Sequence, residues 1–297
     1  MFSGLLTRLA RYRRNAATVL TMNRRNLHYI YPNNPHAQLE VADNKLETKL
    51  MLQGAAIPHA RTYFAYHNFL DLNTLEQNLA LLDAFAVKPA HGSGGSGIKL
   101  ITGRHPDGSW RSINGERIML ADIRKHISDI LFGVYASDLN DIAIIEEIIS
   151  QHDEMSLLSP YGLADIRMIM HQDQPVMSMS RIPTRRSGGR ANLHQGAVGV
   201  GIDIPTGMTR NVTWFGKMIT HHPDSGVQLV DLQIPQWPQI LDICYRTARA
   251  CPLKYLGLDV AVSSHGPMII EINARPGLTI QNANLRGMRS ILERQPS

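Results

Sequence analysis

The chain has 297 residues, 43% hydrophobic and 19% charged, with a formal net charge of +5. That composition supports a packed core and excludes an intrinsically disordered chain, and 23 glycines and 16 prolines without a fixed period exclude collagen-like, coiled-coil and short-repeat architectures. The positive balance suits acidic partners in general: nucleotide, nucleic acid or anionic lipid. The two cysteines, Cys244 and Cys251, stand about two helical turns apart, which makes neither a disulfide framework nor a metal knuckle and implies a reducing compartment. With no run of roughly 18 apolar residues and no signal-peptide core, the expectation is a soluble, cytoplasmic protein.

Residues 1–40 read as a basic arm. Arg8, Arg11, Arg13, Arg14, Arg24 and Arg25 precede the first acid, Glu40. Phe2, Leu5, Leu6 and Leu9 fall on one helical face, a pattern of membrane-surface or nucleic-acid elements; the plainer reading is a helix lying on the main body with its arginines in water. The arm's charge makes an acidic peptide or protein the expected partner, with peripheral contact to an anionic membrane as the other use.

Asn44 with Glu47 three residues on has capping-box spacing, which predicts a helix from here to Gly54 with Lys45 in its first turn. A lysine there opposes the helix dipole, so a phosphate beside Lys45 explains it better than Lys45 alone. Phe85–Ile101 predicts strand, glycine loop, strand. The loop, with four glycines and two serines in the six positions from Gly92 to Gly97, can bring backbone N–H groups to phosphate oxygens, with Ser93, Ser96 and Lys88 assisting. It matches GxGxxG literally, but a strand rather than a helix follows, so the dinucleotide fingerprint and the Walker A loop both fail.

Asp141–Ile149 is an apolar strand ending in Glu146 and Glu147, where one acid and the neighbouring backbone can read an adenine edge. Asp165–Met170 alternates as a strand with Asp165 and Arg167 on one face. Arg181–Gly196 mixes glycines with basic and amide side chains, a poor core and a good polyanion or carboxylate site, with His194 as general base or hydrogen-bond donor. Gly257–Asn273 predicts a hairpin centred near His265. Asp259 then faces Glu271, and Asn273 shares their face. Opposed acids need something positive between them, and three oxygen side chains suit Mg²⁺.

Taken in order, these parts resemble the ATP-grasp superfamily, and more closely its RimK-like branch of alpha-L-glutamate ligase-like proteins. The resemblance runs from about Asn23 to Arg286 through DNKLETK, VKPAHGSGGSGI, DIR, RIPT, ANLHQGAVGVGID, HPDSG and INARPGL. It implies an α+β ATP-grasp fold whose two subdomains, 41–145 with the glycine lid and 146–290 with the metal site, clamp ATP between antiparallel sheets. The short arm 1–40 stands where the family carries a full N-terminal domain.

The implied cofactors are ATP and Mg²⁺, with Mn²⁺ as a substitute. By motif, Lys45 and Lys88 contact phosphates, and Gly92, Ser93, Gly94, Gly95, Ser96 and Gly97 fold over them. Glu146, Glu147, Ile148 and Ile149 contact adenine, and Glu154 or Asp153 the ribose. Asp259, Glu271 and Asn273 match metal ligands. Arg167, Arg190 and Asn192 match residues near the transferred phosphate, with Arg275 there or at the substrate carboxylate. The implied activity is ATP-dependent ligation of a carboxylate to an amine through an acyl phosphate, adding an amino acid such as glutamate to a peptide or protein. The alternatives are a phosphotransferase with the same nucleotide site and a non-catalytic basic nucleotide-binding module. No specific nucleic-acid partner is expected.

Overall fold

The computed structural model describes residues 17–92, 94–136 and 140–294. They form two compact units: Asn44–Leu46 with His59–Ser150, and a larger one made of the described residues up to Asp43, Glu47–Pro58 and the described residues from Gln151 on. The expected boundary at 145/146 falls on a strand end, whereas the units part at Ser150. Glu47–Pro58 belongs to the larger unit because Leu52 and Ile57 are buried in its core.

The smaller unit is a six-stranded antiparallel sheet of β1 (Thr62–Tyr66), β2 (Phe85–Pro89), β3 (Lys99–Arg104), β4 (Trp110–Ser112), β5 (Arg117–Ile118) and β6 (Ala143–Glu146), in the order β1-β6-β2-β3-β4-β5. Helix α2 (Leu120–Leu131) covers it; Ile123, Ile127 and Ile130 recur at helical spacing and pack with Phe85, Val87 and Ile145. Helix α1 (Lys45–Gly54) starts in this unit at Lys45, as the capping pattern predicts, with Asn44 Oδ1 accepting from the Leu46 N–H at 2.9 Å.

The larger unit is a seven-stranded antiparallel sheet of β7 (Asp165–His171), β8 (Gln174–Ile182), β9 (Val198–Ile202), β10 (Thr209–Trp214), β11 (Lys217–Ile219), β12 (Tyr255–Ser263) and β13 (Gly266–Asn273), in the order β11-β10-β9-β8-β7-β12-β13. Alternation sorts its side chains onto two faces. On one, Ile166, Met168, Leu256 and Leu258 pack against Ile240, Ile243 and Cys244 of helix α3 (Trp237–Ala250). On the other, Ile169, Met177, Met179 and Tyr255 pack with Leu20, Tyr29 and Ile30 and with Ile280, Ala283 and Met288.

The described end of the basic arm is therefore part of this core. Buried Gln281 grips it, accepting from the Leu20 N–H at 2.8 Å and donating to the Leu20 carbonyl at 3.0 Å. Arg25 is buried and donates to the Pro276 carbonyl at 2.7 Å, while Arg24 pairs with Glu293 at 3.1 Å. The other four arginines and the apolar stripe from Phe2 to Leu9, on which the membrane reading rests, lie outside the described residues. Among the described residues no helix is long and apolar enough to cross a membrane.

Leu20→Ala is expected to destabilise the protein by roughly 2–5 kcal/mol, the range for emptying a buried leucine site; urea unfolding of variant and parent checks it.

Candidate active site

Four neighbouring strands place six polar side chains on one face of the larger sheet: Asp165 and Arg167 from β7, Arg181 from β8, Asp259 from β12, and Glu271 and Asn273 from β13. Asp259 pairs in register with Arg167 on one side and Glu271 on the other, and Asp165 with Arg181. The opposition of Asp259 and Glu271 depends on a bulge. Ser263 pairs with Gly266 across a Ser264-His265 turn, a register that would set Asp259 opposite Ile270; pairing shifts by one residue between Asp259 and Val260, and Glu271 takes the place.

The positive charge beside Asp259 is supplied by the chain itself. Arg167 donates through Nε to Asp259 Oδ1 and through Nη2 to Oδ2, both at 2.6 Å, and Arg181 Nη2 reaches Oδ2 at 2.7 Å. Arg181 also forks onto Asp165, with 2.7 and 2.5 Å contacts. All four groups are nearly sealed from solvent. Burial alone would raise the Asp259 carboxyl, but Arg167 and Arg181 outweigh it and hold the group at about 2. Asp165 goes the other way, pushed up to about 6 by burial and by the Asp259 charge against the pull of Arg181. The directions differ because Asp259 takes three guanidinium N–H groups and Asp165 two.

Arg167, expected near the transferred phosphate, and Asp259, expected as a metal ligand, are bound to each other in this structure. The lone pairs of Asp259 are taken by two guanidinium groups and by Asn273 Nδ2 at 3.3 Å, so in this arrangement a cation beside it would face two like charges and it does not fit as a direct ligand. Glu271 and Asn273 do fit. The amide nitrogen of Asn273 is turned to Asp259, which leaves its oxygen as the ligand atom, and one carboxylate with one amide oxygen is enough for an ion that keeps waters and takes phosphate oxygens. Among the described residues no three His, Cys, Asp or Glu side chains make a ready metal centre. Arg181, read only as the start of a basic, glycine-rich segment, belongs instead to the end of β8 and to this ionic cluster; the signal for that was its place in strand period with Met177 and Met179, two apolar residues on a face that turns ionic.

In the smaller unit Lys88 and Glu146, expected at phosphate and adenine, meet each other at 2.6 Å as diagonal neighbours on β2 and β6. Lys45 Nζ bonds the carbonyls of Gly92 and, at 3.4 Å, Ala90, bracketing the root of the glycine loop. Gly94, Gly95 and Gly97 have φ of 62°, 79° and 75°, a conformation that only glycine adopts without strain. Ser93 lies outside the described residues. Both roots of the loop are anchored by histidines that escaped the sequence reading: His91 Nδ1 meets buried Asp141 at 2.7 Å, and His126 Nε2 meets the Gly97 carbonyl at 2.8 Å. Burial pulls the His126 pKa down, which keeps that ring neutral. Glu147 is bound to Arg61, its carboxylate taking the Arg61 N–H at 2.9 Å. Among the described residues nothing hydrogen-bonds the backbone of Ile148 and Ile149, the residues expected at adenine.

The remaining candidates stand at the surface of the larger unit. Arg190 and His194 are exposed, Asn192 Oδ1 accepts from the His194 N–H at 3.0 Å, and Arg275 lies 3.5 Å from Asp43. Exposed Glu154 lines an open cleft with His152, Thr206, Gln233 and Trp237, to which the ionic face of the sheet contributes nothing.

The model of a family described as sugar-transfer associated ATP-grasp matches residues 24–295. A probable alpha-L-glutamate ligase of Trichodesmium erythraeum is 27% identical over 142 residues, 48% of this chain and 33% of the relative. Another, of Maridesulfovibrio salexigens, is 23% identical over 164 residues, 55% of this chain and 40% of that protein. The chain thus matches well under half the length of these curated relatives. A D-alanine–D-alanine ligase of Bacillus anthracis, solved with ATP, superposes with a TM-score of 0.48 at 14% identity, covering 90% of this chain and 75% of that one.

Asp259→Asn leaves two buried guanidinium groups short of a counter-charge and is expected to cost about 3–5 kcal/mol in chemical unfolding. The two carboxyls act oppositely with pH. The pairs of Asp259 contribute stability above its ordinary value of 3.8 that is lost as pH falls through about 2. The raised Asp165 contributes stability below 3.8 that is lost as pH rises through about 6, so Asp165→Asn should flatten the stability–pH curve across that window.

Proposed function

Since the chain belongs to the sugar-transfer-associated ATP-grasp family, we propose that it is an ATP-dependent ligase joining a carboxylate to an amine. The observation that supports this best is the pairing of Glu271 with Asn273 on a sheet face that offers cation chemistry and no nucleophile. Both cysteines are buried, and burial raises both thiols, so neither is poised to attack. A ligase of this class needs no protein nucleophile. A carboxylate oxygen attacks the γ-phosphorus of ATP as the bond to ADP breaks; the amine then attacks the acyl carbon, and phosphate leaves. Catalysis is positioning and charge neutralisation.

In the smaller unit the glycine loop from Gly92 to Gly97 would take the phosphates, with Lys45 at its root and Lys88 held in place by Glu146. The backbone of Ile148 and Ile149 would read the adenine edge. In the larger unit Glu271 and Asn273 would hold Mg²⁺ or Mn²⁺, which supplies charge neutralisation to phosphate oxygens. Asp259 would serve by fixing Arg167 and Arg181. Glu154 is the candidate for ribose, and Arg190, Asn192, His194 and Arg275 for the transferred phosphate or the substrate carboxylate. The description of the curated relatives favours glutamate as the amino acid added to a peptide or protein.

Incubation with Mg-ATP and pools of amino acids and peptides, followed by mass spectrometry, tests the reading. ADP release that depends on an amine, together with a new amide product, is expected; a stable phosphorylated product would replace the ligase by a phosphotransferase. Glu271→Gln should lower ADP formation by about a hundredfold or more, the equivalent of the several kcal/mol a bound cation supplies, with the melting temperature unchanged.

A further inference from the structure

We propose that the segment Pro183–Gly196 is a docking site for an oxyanion group, carboxylate or phosphate, read by the Arg185 and Arg186 guanidinium groups. Only the assignment of that group to a substrate rests on the ligase reading. The segment leaves β8 two residues after Arg181, at the edge of the ionic face.

Its shape is fixed by buried polar groups that pack no core. Thr184 and Ser187 bond each other through side chain and backbone, and Thr184 Oγ1 donates to the Gly196 carbonyl at 2.9 Å. Buried His222 donates from Nε2 to the Pro183 carbonyl at 2.9 Å, while its Nδ1 accepts the Asp224 and Ser225 N–H groups. Asp224, the exposed acid in this brace, accepts the Arg185 N–H at 2.8 Å. The HPDSG turn thus braces the loop, a role no sequence pattern revealed.

What the brace presents is basic and oriented. Arg185 lies over the Tyr161 ring at 5.1 Å and Arg186 over the Phe215 ring at 4.8 Å. A guanidinium laid flat on a ring keeps its N–H edge for a planar or tetrahedral anion. Both arginines, and Arg190 beyond them, are exposed, and among the described residues no carboxylate forms an ion pair with any of the three. Phe215 supplies an independent sign. It occupies the first position of the two-residue turn between β10 and β11 with φ of 48°, left-handed backbone that suits glycine or asparagine, and it is half exposed. Strain accepted to place an aromatic ring in solvent points to a use for the ring, and here the ring carries Arg186.

Two anions test the site without ATP: a fluorescein-labelled tetraglutamate peptide by anisotropy, and inorganic pyrophosphate by calorimetry. At least one should bind, more weakly as salt rises. The double variant Arg185→Gln/Arg186→Gln, with an unchanged melting temperature, should weaken binding tenfold or more; Arg249→Gln, which removes an arginine stacked on Tyr245 elsewhere, should not. Peptide binding names an acidic peptide substrate and pyrophosphate binding a phosphorylated one. Absence of binding to both, or equal binding by parent and double variant, overturns the proposal. Anion binding without amine-dependent ADP release would leave the site standing and remove the ligase reading.

Discussion

The interleaving of two carboxylates and two guanidinium groups, out of water on adjacent strands, governs the larger sheet. Each of Asp165, Arg181, Asp259 and Arg167 is affordable in that interior only because the next lies within hydrogen-bond distance. A slip of one residue in β7, β8 or β12 would turn a charge toward the apolar face packed on α3 and strand its partner. The ion pairs therefore act less as glue than as a register lock, and the strand order that carries Glu271 and Asn273 is fixed by them.

Charge is balanced locally in the smaller unit too. Lys88 on β2 meets Glu146 on β6, and His91 at the root of the glycine loop meets Asp141. Lys45 bonds the carbonyls of Ala90 and Gly92 at the root of the loop. The two roots of the loop are thereby held by side-chain hydrogen bonds, with the left-handed Gly94, Gly95 and Gly97 between them.

Much of this was legible in the sequence because it was local. The helix at Lys45, the strand–loop–strand around the glycines, the β7 strand and the hairpin that opposes Asp259 to Glu271 all follow from capping, alternation and turn residues within short windows. The partners of the charged groups were not legible, because they are joined across the sheet: Arg167 and Asp259 are 92 residues apart, and period-two alternation names a face without naming the neighbouring strand. The same limit applied at the N-terminus. Arg24 and Arg25 read as part of a solvated arm, yet Leu20, Tyr29 and Ile30 carry that stretch into a core whose other half is the C-terminal segment. The hairpin reading reached the right opposition from a turn placed half a residue away from the real one, and the bulge made up the difference.

That bulge gives the hairpin one spare residue. Relatives whose β13 lacks an equivalent of Ile270 would close the same Ser-His turn by regular pairing and still set the two acids opposite each other. A residue added on that side of the turn has no such slack to consume and would rotate Glu271 and Asn273 off the ionic face. Length variation in this hairpin should therefore be one-sided across the family, with deletions accommodated and single insertions purged.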